Sequence, residues 1–188
     1  MIIVCIAGMP GSGKSIVAKA ALDLGLNVYN MGDVVREETL KKYGEISPEL
    51  LRRTSIELRR KFGAGIIAEK TLEKIRKSKD LGKECMIVVD GVRSLEEIDV
   101  FTKLGKVVIL AVHASPKTRF KRILKRSRPG DPKTWEEFRK RDLTELSLGI
   151  GSVIALADYM IVNEGDVRET YKKAKEILEG IRSNVCKS

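Results

Sequence analysis

Short apolar runs alternate with longer amphipathic stretches along most of the chain. The first run, Ile2 to Ala7, is rich in β-branched residues and is followed by glycines, a pattern typical of a buried central strand. Ser15 to Leu24 then places apolar residues at helical spacing until Gly25. The pattern therefore predicts that the chain begins with a strand, a glycine-rich loop and a helix.

Four further apolar runs predict the other strands. They are Asn27 to Tyr29, Cys85 to Asp90, Lys106 to Val112 and Tyr159 to Val162. Because helix-length amphipathic sequence separates the strands, we expect an α/β three-layer domain with a five-stranded parallel sheet and right-handed crossovers. A ligand of such a sheet binds at the carboxyl ends of the strands.

Helical sequence fills the interval between the second and third strands. Asp33 opens a helix that reaches Tyr43, and Ser47 with Pro48 supplies a cap and a first residue for another helix. Phe62 to Arg76 continues the helical pattern after glycines. We expect a single domain over residues 1–188 with a helical insertion at residues 34–76.

Composition excludes several classes of protein. Of the 188 residues, 43% are hydrophobic and 33% are charged, so the chain can bury a core and is not disordered. No apolar run is long enough to span a bilayer and no basic segment precedes the first one, so we expect a cytoplasmic protein without a membrane partner. Cys5, Cys85, Cys186 and His113 lack metal-ligand spacing, and we expect neither a disulfide nor a metal cage.

Positive charge is concentrated in one part of the chain. The formal net charge is +10, and Lys117 to Arg141 holds eleven Lys or Arg against three acidic residues. This balance favours a polyanionic partner such as nucleic acid, anionic lipid or a phosphorylated metabolite. Single-stranded nucleic acid is possible but not favoured, because few aromatic residues besides Trp135 are available for stacking on bases.

The strongest chemical signal is the sequence G-x-x-x-x-G-K-S from Gly8 to Ser15. It follows a predicted strand and opens a predicted helix, which is the context that a phosphate-binding loop requires. Backbone N–H groups of such a loop and the helix N-terminus bind phosphates, here those of ATP. We expect Lys14 to reach the β- and γ-phosphates and the Ser15 hydroxyl to bind Mg²⁺. The other predicted loop contacts to ATP are Gly8, Gly11, Ser12 and Gly13.

Asp90 ends the third predicted strand after four apolar residues. Its carboxylate is therefore expected at the same sheet edge as the glycine-rich loop, where it could orient Mg²⁺ through water. The alternative role of Asp90 is to cap a loop.

Two segments resemble the acceptor sites of adenylate kinase and other nucleoside monophosphate kinases. Asn30 to Arg36 resembles the S-T-G-D-x-x-R segment of these enzymes, and Asp90 to Arg93 resembles their D-G-x-P-R segment without its proline. The resemblance implies that Arg36 and Arg93 clamp the acceptor's phosphate, with Asp33 beside them as a base, a magnesium-water ligand or a helix cap. It also implies that residues 34–76 bind the acceptor. The alternative for Arg36 is an ordinary surface ion pair.

Three arginines fall on one stripe of the helix that precedes the basic segment. Arg119, Arg122 and Arg126 are spaced three and four residues apart, beside an apolar face. Residues 122–126 resemble the R-L-L-K-R segment before the lid of these kinases, which implies that Arg122 lies against the ATP base and Arg126 on its phosphates. By the same resemblance, residues 127–141 form a short lid, here called the lid segment. Its arginines that would close on the transferring phosphoryl group are Arg128, Arg139 and Arg141. The alternative is a solvated basic hairpin.

The last predicted strand also carries a family signal. Ala157 to Gly165 resembles the A-D-x-x-I-x-N-x-G segment of dephospho-coenzyme A kinases. The resemblance implies that Asn163 and Gly165 shape the edge of the adenine site. Alternatively, the segment only ends the strand and turns the chain into the next helix.

Across nearly its whole length the chain is similar to an archaeal family of adenylate-kinase-related P-loop kinases. The resemblance implies an ATP- and Mg²⁺-dependent phosphotransferase that acts on a small acceptor, and we expect this acceptor to be a nucleoside monophosphate. A dephospho-coenzyme A kinase is the alternative enzyme. An ATPase switch that binds RNA or a ribosomal particle through residues 117–141 is the alternative of another class.

Overall fold

A five-stranded parallel sheet lies at the centre of the computed structural model, which describes residues 1–78 and 84–185. The strands are β1 Ile2–Ala7, β2 Val28–Asn30, β3 Met86–Asp90, β4 Lys106–His113 and β5 Tyr159–Val162. In space they are ordered β2-β3-β1-β4-β5, and every neighbouring pair is parallel. The predicted sheet is therefore confirmed, with the second strand shifted by one residue.

Helices cover both faces of this sheet. Within the described residues they are α1 Lys14–Asp23, α2 Met31–Tyr43, α3 Pro48–Phe62, α4 Ile66–Lys77, α5 Leu95–Thr102, α6 Pro116–Arg126, α7 Trp135–Ser147, α8 Ile150–Ala155 and α9 Val167–Val185. The predicted helical insertion corresponds to α2, α3 and α4, which lie between β2 and β3 in sequence.

The central strand β1 joins two separate apolar cores. Successive side chains of a strand point to opposite faces of the sheet. Ile3 and Cys5 pack into a core with residues of α2, α4 and α5, whereas Ile2, Val4 and Ile6 pack into a second core with residues of α1 and α9. This arrangement gives the three predicted layers.

The strand register brings three chain segments to one edge of the sheet. Ile6 of β1 lies opposite Asp90 of β3, and Asn30 of β2 lies opposite Asp90 from the other side. The loop after β1, the turn after β3 and the start of α2 consequently meet at the carboxyl edge.

Helix boundaries in the insertion differ from two of the predictions. α2 begins at Met31 rather than Asp33, because the Asn30 side chain accepts a 2.7 Å hydrogen bond from the N–H of Gly32 and caps the helix. The start of α3 is confirmed, with Ser47 as its cap and Pro48 in its first turn. Phe62 ends α3 instead of opening the next helix, which begins only at Ile66.

The expectation about disulfides was wrong. Cys85 is disulfide-bonded, whereas Cys5 is buried and free. Sequence spacing could not show this, because a disulfide depends on distance in space and not on separation along the chain. Cys186 lies outside the described residues.

No helix within residues 1–78 and 84–185 has the length and apolar character needed to cross a membrane.

Candidate functional site

The predicted phosphate loop connects β1 to α1 at the carboxyl edge of the sheet. Gly13, the residue before α1, has a φ of 104°. A Cβ atom built on Gly13 would lie 2.1 Å from the Asn163 Nδ2 atom. Both the left-handed backbone and this close approach require glycine at position 13. The loop is therefore shaped by local sequence and by a residue that follows β5.

Lys14 is half-buried beneath the loop. Its Nζ atom donates a 2.6 Å hydrogen bond to the Gly8 carbonyl oxygen, so the ammonium lies within the loop itself. Burial lowers the pKa of Lys14, and the negative charge of Asp90 opposes that shift. An ammonium in this position can interact with phosphate oxygens that approach the loop.

Asp90 is the other charged group at the base of the site. Its Oδ2 atom accepts a long 3.4 Å hydrogen bond from Asn30, whereas Oδ1 is buried without a hydrogen-bond partner. Burial raises the pKa of the Asp90 carboxyl, against the opposing charges of Lys14 and Arg93. A buried carboxylate oxygen destabilises the folded protein unless a cation or a hydrogen-bond donor contacts it.

The residues predicted for Mg²⁺ have chemistry that fits this ion. Ser15 is exposed in the first turn of α1, and Asp90 offers a free oxygen at the adjacent strand end. Within the described residues, no group of three or more His, Cys, Asp or Glu side chains could hold a metal ion. This donor set suits Mg²⁺, which binds through one or two protein oxygens together with substrate phosphates and water.

A cleft of about 220 Å³ opens beside the phosphate loop. The turn after β3, the lid segment and the following part of α7 complete its walls. Five of its six charged lining side chains are cationic, so the cleft has the charge expected of a phosphate site. These side chains are Lys14, Arg93, Arg126, Arg128, Arg141 and Glu145.

Asp131 of the lid segment lies between two arginines, one at the end of α6 and one in α7. Asp131 accepts hydrogen bonds from the Nε and Nη2 atoms of Arg126, both at 2.8 Å, and from the Nη1 atom of Arg141 at 3.0 Å. Arg126, and to a smaller extent Arg141, lowers the pKa of Asp131 to about 2, although partial burial opposes the shift. Arg128 also lines the cleft, whereas Arg139 is exposed on α7 and is not among the lining residues.

The predicted acceptor arginines have different surroundings. Arg93 lines the cleft, where its Nε atom lies 2.9 Å from Oε2 of Glu145. Arg36 forms an exposed ion pair of 2.6 Å with Asp33, one turn earlier on α2. Neither Arg36 nor Asp33 lines the cleft, and Asp33 is not the helix cap, because Asn30 has that position.

Asn163 lies beneath the phosphate loop rather than on an open surface. It is 1% exposed, its Nδ2 atom donates to the Ser12 carbonyl at 2.8 Å, and its Oδ1 atom accepts from Thr170 at 2.8 Å and from Arg122 at 3.2 Å. The structure thus joins Asn163 and Arg122 to each other and to the loop. Gly165 lies in the turn before α9, outside this network.

Two arrangements at the site were not predicted from the sequence. Arg119 is 3% exposed, donates to the Pro10 carbonyl at 3.2 Å and forms a two-point ion pair with Asp142 at 2.8 and 2.6 Å. It therefore ties the loop to α7. Glu145 was also missed, although its spacing of four residues from Arg141 places both on one face of a helix.

Known proteins resemble this chain over most of its length. Residues 7–139 match the AAA domain family. A UPF0200 protein of Staphylothermus marinus is 62% identical over 179 residues, which cover 95% of this chain and 92% of that protein. A UPF0200 protein of Hyperthermus butylicus is 54% identical over 177 residues, which cover 94% of this chain and 93% of that protein.

Solved structures share the fold. TT1252 from Thermus thermophilus has a TM-score of 0.62 at 18% identity and covers 95% of this chain and 97% of its own. Shikimate kinase from Acinetobacter baumannii, in complex with shikimate, has a TM-score of 0.60 at 16% identity and covers 97% of this chain and 93% of its own. At these identities the likeness concerns the fold alone, which is that of the P-loop kinases.

Proposed function

The chain belongs to the AAA domain family and to the archaeal UPF0200 proteins. From this premise we propose that it is a cytoplasmic phosphotransferase that depends on ATP and Mg²⁺. We propose a nucleoside monophosphate as its acceptor. Its P-loop kinase-like fold supports a nucleotide-binding, kinase-like role. One observation carries the finer proposal: Lys14, Arg93 and three arginines from 126 to 141 line a single cleft.

Phosphoryl transfer needs mainly positioning and charge. An acceptor phosphate oxygen attacks the γ-phosphorus, the bond to the β-phosphate oxygen breaks, and ADP leaves. Lys14 supports this step by holding the β- and γ-phosphates over the loop. Arg126, Arg128 and Arg141 line the same cleft, where they can stabilise charge on the transferring group.

Mg²⁺ would be held by Ser15 and, through water, by Asp90. When bound, it neutralises charge on the β- and γ-oxygens and orients them. The unpartnered Oδ1 atom of Asp90 supports this assignment, since a metal-bound water would give that buried oxygen a donor.

Arg93 supports a phosphate-bearing acceptor. Its guanidinium lines the cleft and uses Nε for Glu145, which leaves its terminal nitrogens for two phosphate oxygens. Arg36 does not line the cleft, so its side chain would have to move to contact the acceptor phosphate. Its ion pair with Asp33 would oppose that movement only weakly, because exposed ion pairs contribute about 0–1 kcal/mol.

A hydroxyl acceptor, as in dephospho-coenzyme A kinases, is the second candidate. A hydroxyl must lose its proton as it attacks, and the Glu145 carboxylate in the cleft could accept it. The resemblance of the Asn163 segment favours this candidate, although the Asn163 side chain itself is hydrogen-bonded to the Ser12 carbonyl, Thr170 and Arg122.

The two candidates predict different results for Arg93→Ala. If the acceptor is a monophosphate, its KM should rise about 100-fold while the KM for ATP stays nearly constant, since a lost charge-assisted contact to phosphate acts on the acceptor alone. Arg93→Lys keeps the charge without the fork and should recover part of the affinity. An acceptor KM that does not change in Arg93→Ala would contradict the monophosphate proposal.

Glu145→Gln provides the complementary measurement. The monophosphate proposal predicts that this variant keeps most of its turnover, because a phosphate oxygen needs no base. A loss of about 10²-fold in turnover, together with activity on dephospho-coenzyme A alone, would favour the hydroxyl acceptor instead.

A further inference from the structure

The Asp131 carboxylate occupies a distinctive position in the lid segment. Its side chain is 8% exposed and does not line the cleft, whereas its partners Arg126 and Arg141 are 32% and 35% exposed and do line it. Each of the two arginines therefore contacts both the carboxylate and the cleft. An anion in the cleft would meet the guanidinium groups before it met Asp131.

The hydrogen bonds leave part of each guanidinium available. Arg126 donates hydrogen bonds to Asp131 from its Nε and Nη2 atoms, and Arg141 donates one from its Nη1 atom. Within the described part of the chain, neither Nη1 of Arg126 nor Nη2 of Arg141 has a hydrogen-bond partner. Each arginine can consequently bind a phosphoryl oxygen without giving up Asp131.

Asp131 also fixes the backbone around it. Its Oδ2 atom accepts a 3.1 Å hydrogen bond from the Arg128 N–H, and its own N–H donates to the Arg128 carbonyl at 3.0 Å. Arg126 belongs to α6 and Arg141 to α7, so one carboxylate joins two helices and the turn between them. All three cleft-lining arginines of this region are thus tied to Asp131.

We propose that Asp131 is a positioning residue, which holds Arg126 and Arg141 from behind so that their free N–H groups meet the transferring phosphoryl group. This inference rests on the proposed phosphotransferase function. In the opposite role, Asp131 would be a competing anion from which both arginines must separate before they bind phosphate. That role is disfavoured, because separation of both arginines would leave a nearly buried carboxylate without cationic partners.

The test is Asp131→Asn, which keeps the size of the side chain. One amide nitrogen would then face a guanidinium donor, so at least one arginine should lose its position. We expect kcat to fall about 10²-fold, as misplacement of a positioned group by about 1 Å can do, while the KM for ATP stays within about threefold. Asp131→Glu retains the carboxylate and should recover part of kcat.

Two further variants separate positioning from a merely structural role. Asp23→Asn is the matched control, because Asp23 also accepts hydrogen bonds from a lysine and a tyrosine but lies at the far end of α1. It should leave kcat unchanged. In an Arg126→Ala background, the effect of Asp131→Asn on kcat should be smaller than in the wild type, because the part that acts through Arg126 is already lost and only the part that acts through Arg141 remains.

Each outcome decides the inference. An unchanged kcat per folded molecule in Asp131→Asn would overturn the inference. It would also be overturned if Asp131→Asn lowered kcat by the same factor in the Arg126→Ala background as in the wild type. A raised kcat would show the competing-anion role instead. If the wild-type protein transfers phosphoryl to no acceptor and to no water, the proposed function fails and this inference fails with it. An active wild type with an unaffected variant refutes the inference alone.

Discussion

Asn163 and Ser12 are 151 residues apart in sequence, yet the Asn163 Nδ2 atom donates a 2.8 Å hydrogen bond to the Ser12 carbonyl oxygen. This contact fixes the phosphate loop to the end of the sheet. Because Asn163 also accepts from Thr170 and Arg122, one buried amide connects the loop to α6 and α9. The loop therefore depends on a residue far outside its own motif.

Asn163→Ala should weaken both the fold and nucleotide binding. The substitution leaves the Ser12 carbonyl and the Thr170 hydroxyl without their buried partner, which costs about 1–3 kcal/mol in the free energy of unfolding. Chemical denaturation and ATP titration of the folded protein measure the two effects. Asn184→Ala on the exposed face of α9 is the control. An ATP affinity equal to that of the wild type would contradict a supporting role for Asn163.

Gly130→Ala should disturb the position of the lid segment against α3. Gly130 has a φ of 78°, and a Cβ atom there would lie 2.4 Å from the Pro48 Cβ atom of α3. The lid segment would have to move away from α3, and we expect kcat/KM to fall about tenfold through misplaced arginines.

Gly25→Ala is the matched control for this change. Gly25 has a φ of 74°, but nothing lies within 4 Å of its added Cβ atom. It should therefore lose about 1 kcal/mol of stability from backbone strain and keep its activity. Equal kinetic losses in both variants would show that backbone strain, not contact with Pro48, determines the result.

Arg126→Ala and Arg128→Ala should reduce turnover much more than ATP affinity. If the arginines contact charge that develops in the transition state, loss of one should lower kcat about 10²–10³-fold. Lys140→Ala, an exposed residue outside the cleft lining, controls for general charge. The RNA-binding alternative predicts a different result, a decrease in the salt dependence of RNA binding of about one counterion for each arginine removed.

Asp131 should make a pH-dependent contribution to stability. Its pKa in the folded protein is about 2, below the usual 3.8, so the folded state binds fewer protons than the unfolded state between these values. The stabilisation is complete above about pH 4 and is lost as the pH falls toward 2. Since both arginines are partly solvated, we expect about 1 kcal/mol.

Denaturation of the wild type and of Asp131→Asn across this pH range measures that contribution. The difference in the free energy of unfolding should shrink as the pH falls from 5 to 2. A difference that stays constant with pH would show that the Asp131 carboxyl is not stabilised by ion pairing.

The sequence predicted the parts of this structure that depend on neighbouring residues. The loop from Gly8 to Ser15 and the apolar strands were predictable because their signals are local and periodic. The start of α2 was missed because an asparagine cap was available three residues before Asp33. That cap is visible in the sequence, since Asn is among the favoured capping residues.

The ion pairs of the site were not predictable in the same way. Arg119 and Asp142 meet only because α6 packs against α7, and Arg93 and Glu145 meet only because α7 returns to the turn after β3. Nothing in the spacing of these residues indicates their partners. By contrast, the pair of Asp33 and Arg36 is an ordinary contact between residues one helical turn apart.

The most direct test of the proposed function is acceptor-dependent phosphoryl transfer from ATP. Wild-type protein and Lys14→Ala are each incubated with Mg²⁺, ATP labelled at the γ-phosphate, and AMP, CMP, UMP, GMP or dephospho-coenzyme A, and the labelled product is identified. We predict that the label moves to a nucleoside monophosphate in the wild type only, and that Lys14→Ala remains folded but binds ATP weakly. Release of label as inorganic phosphate at the same rate with and without every acceptor would contradict the account, as would equal transfer by Lys14→Ala.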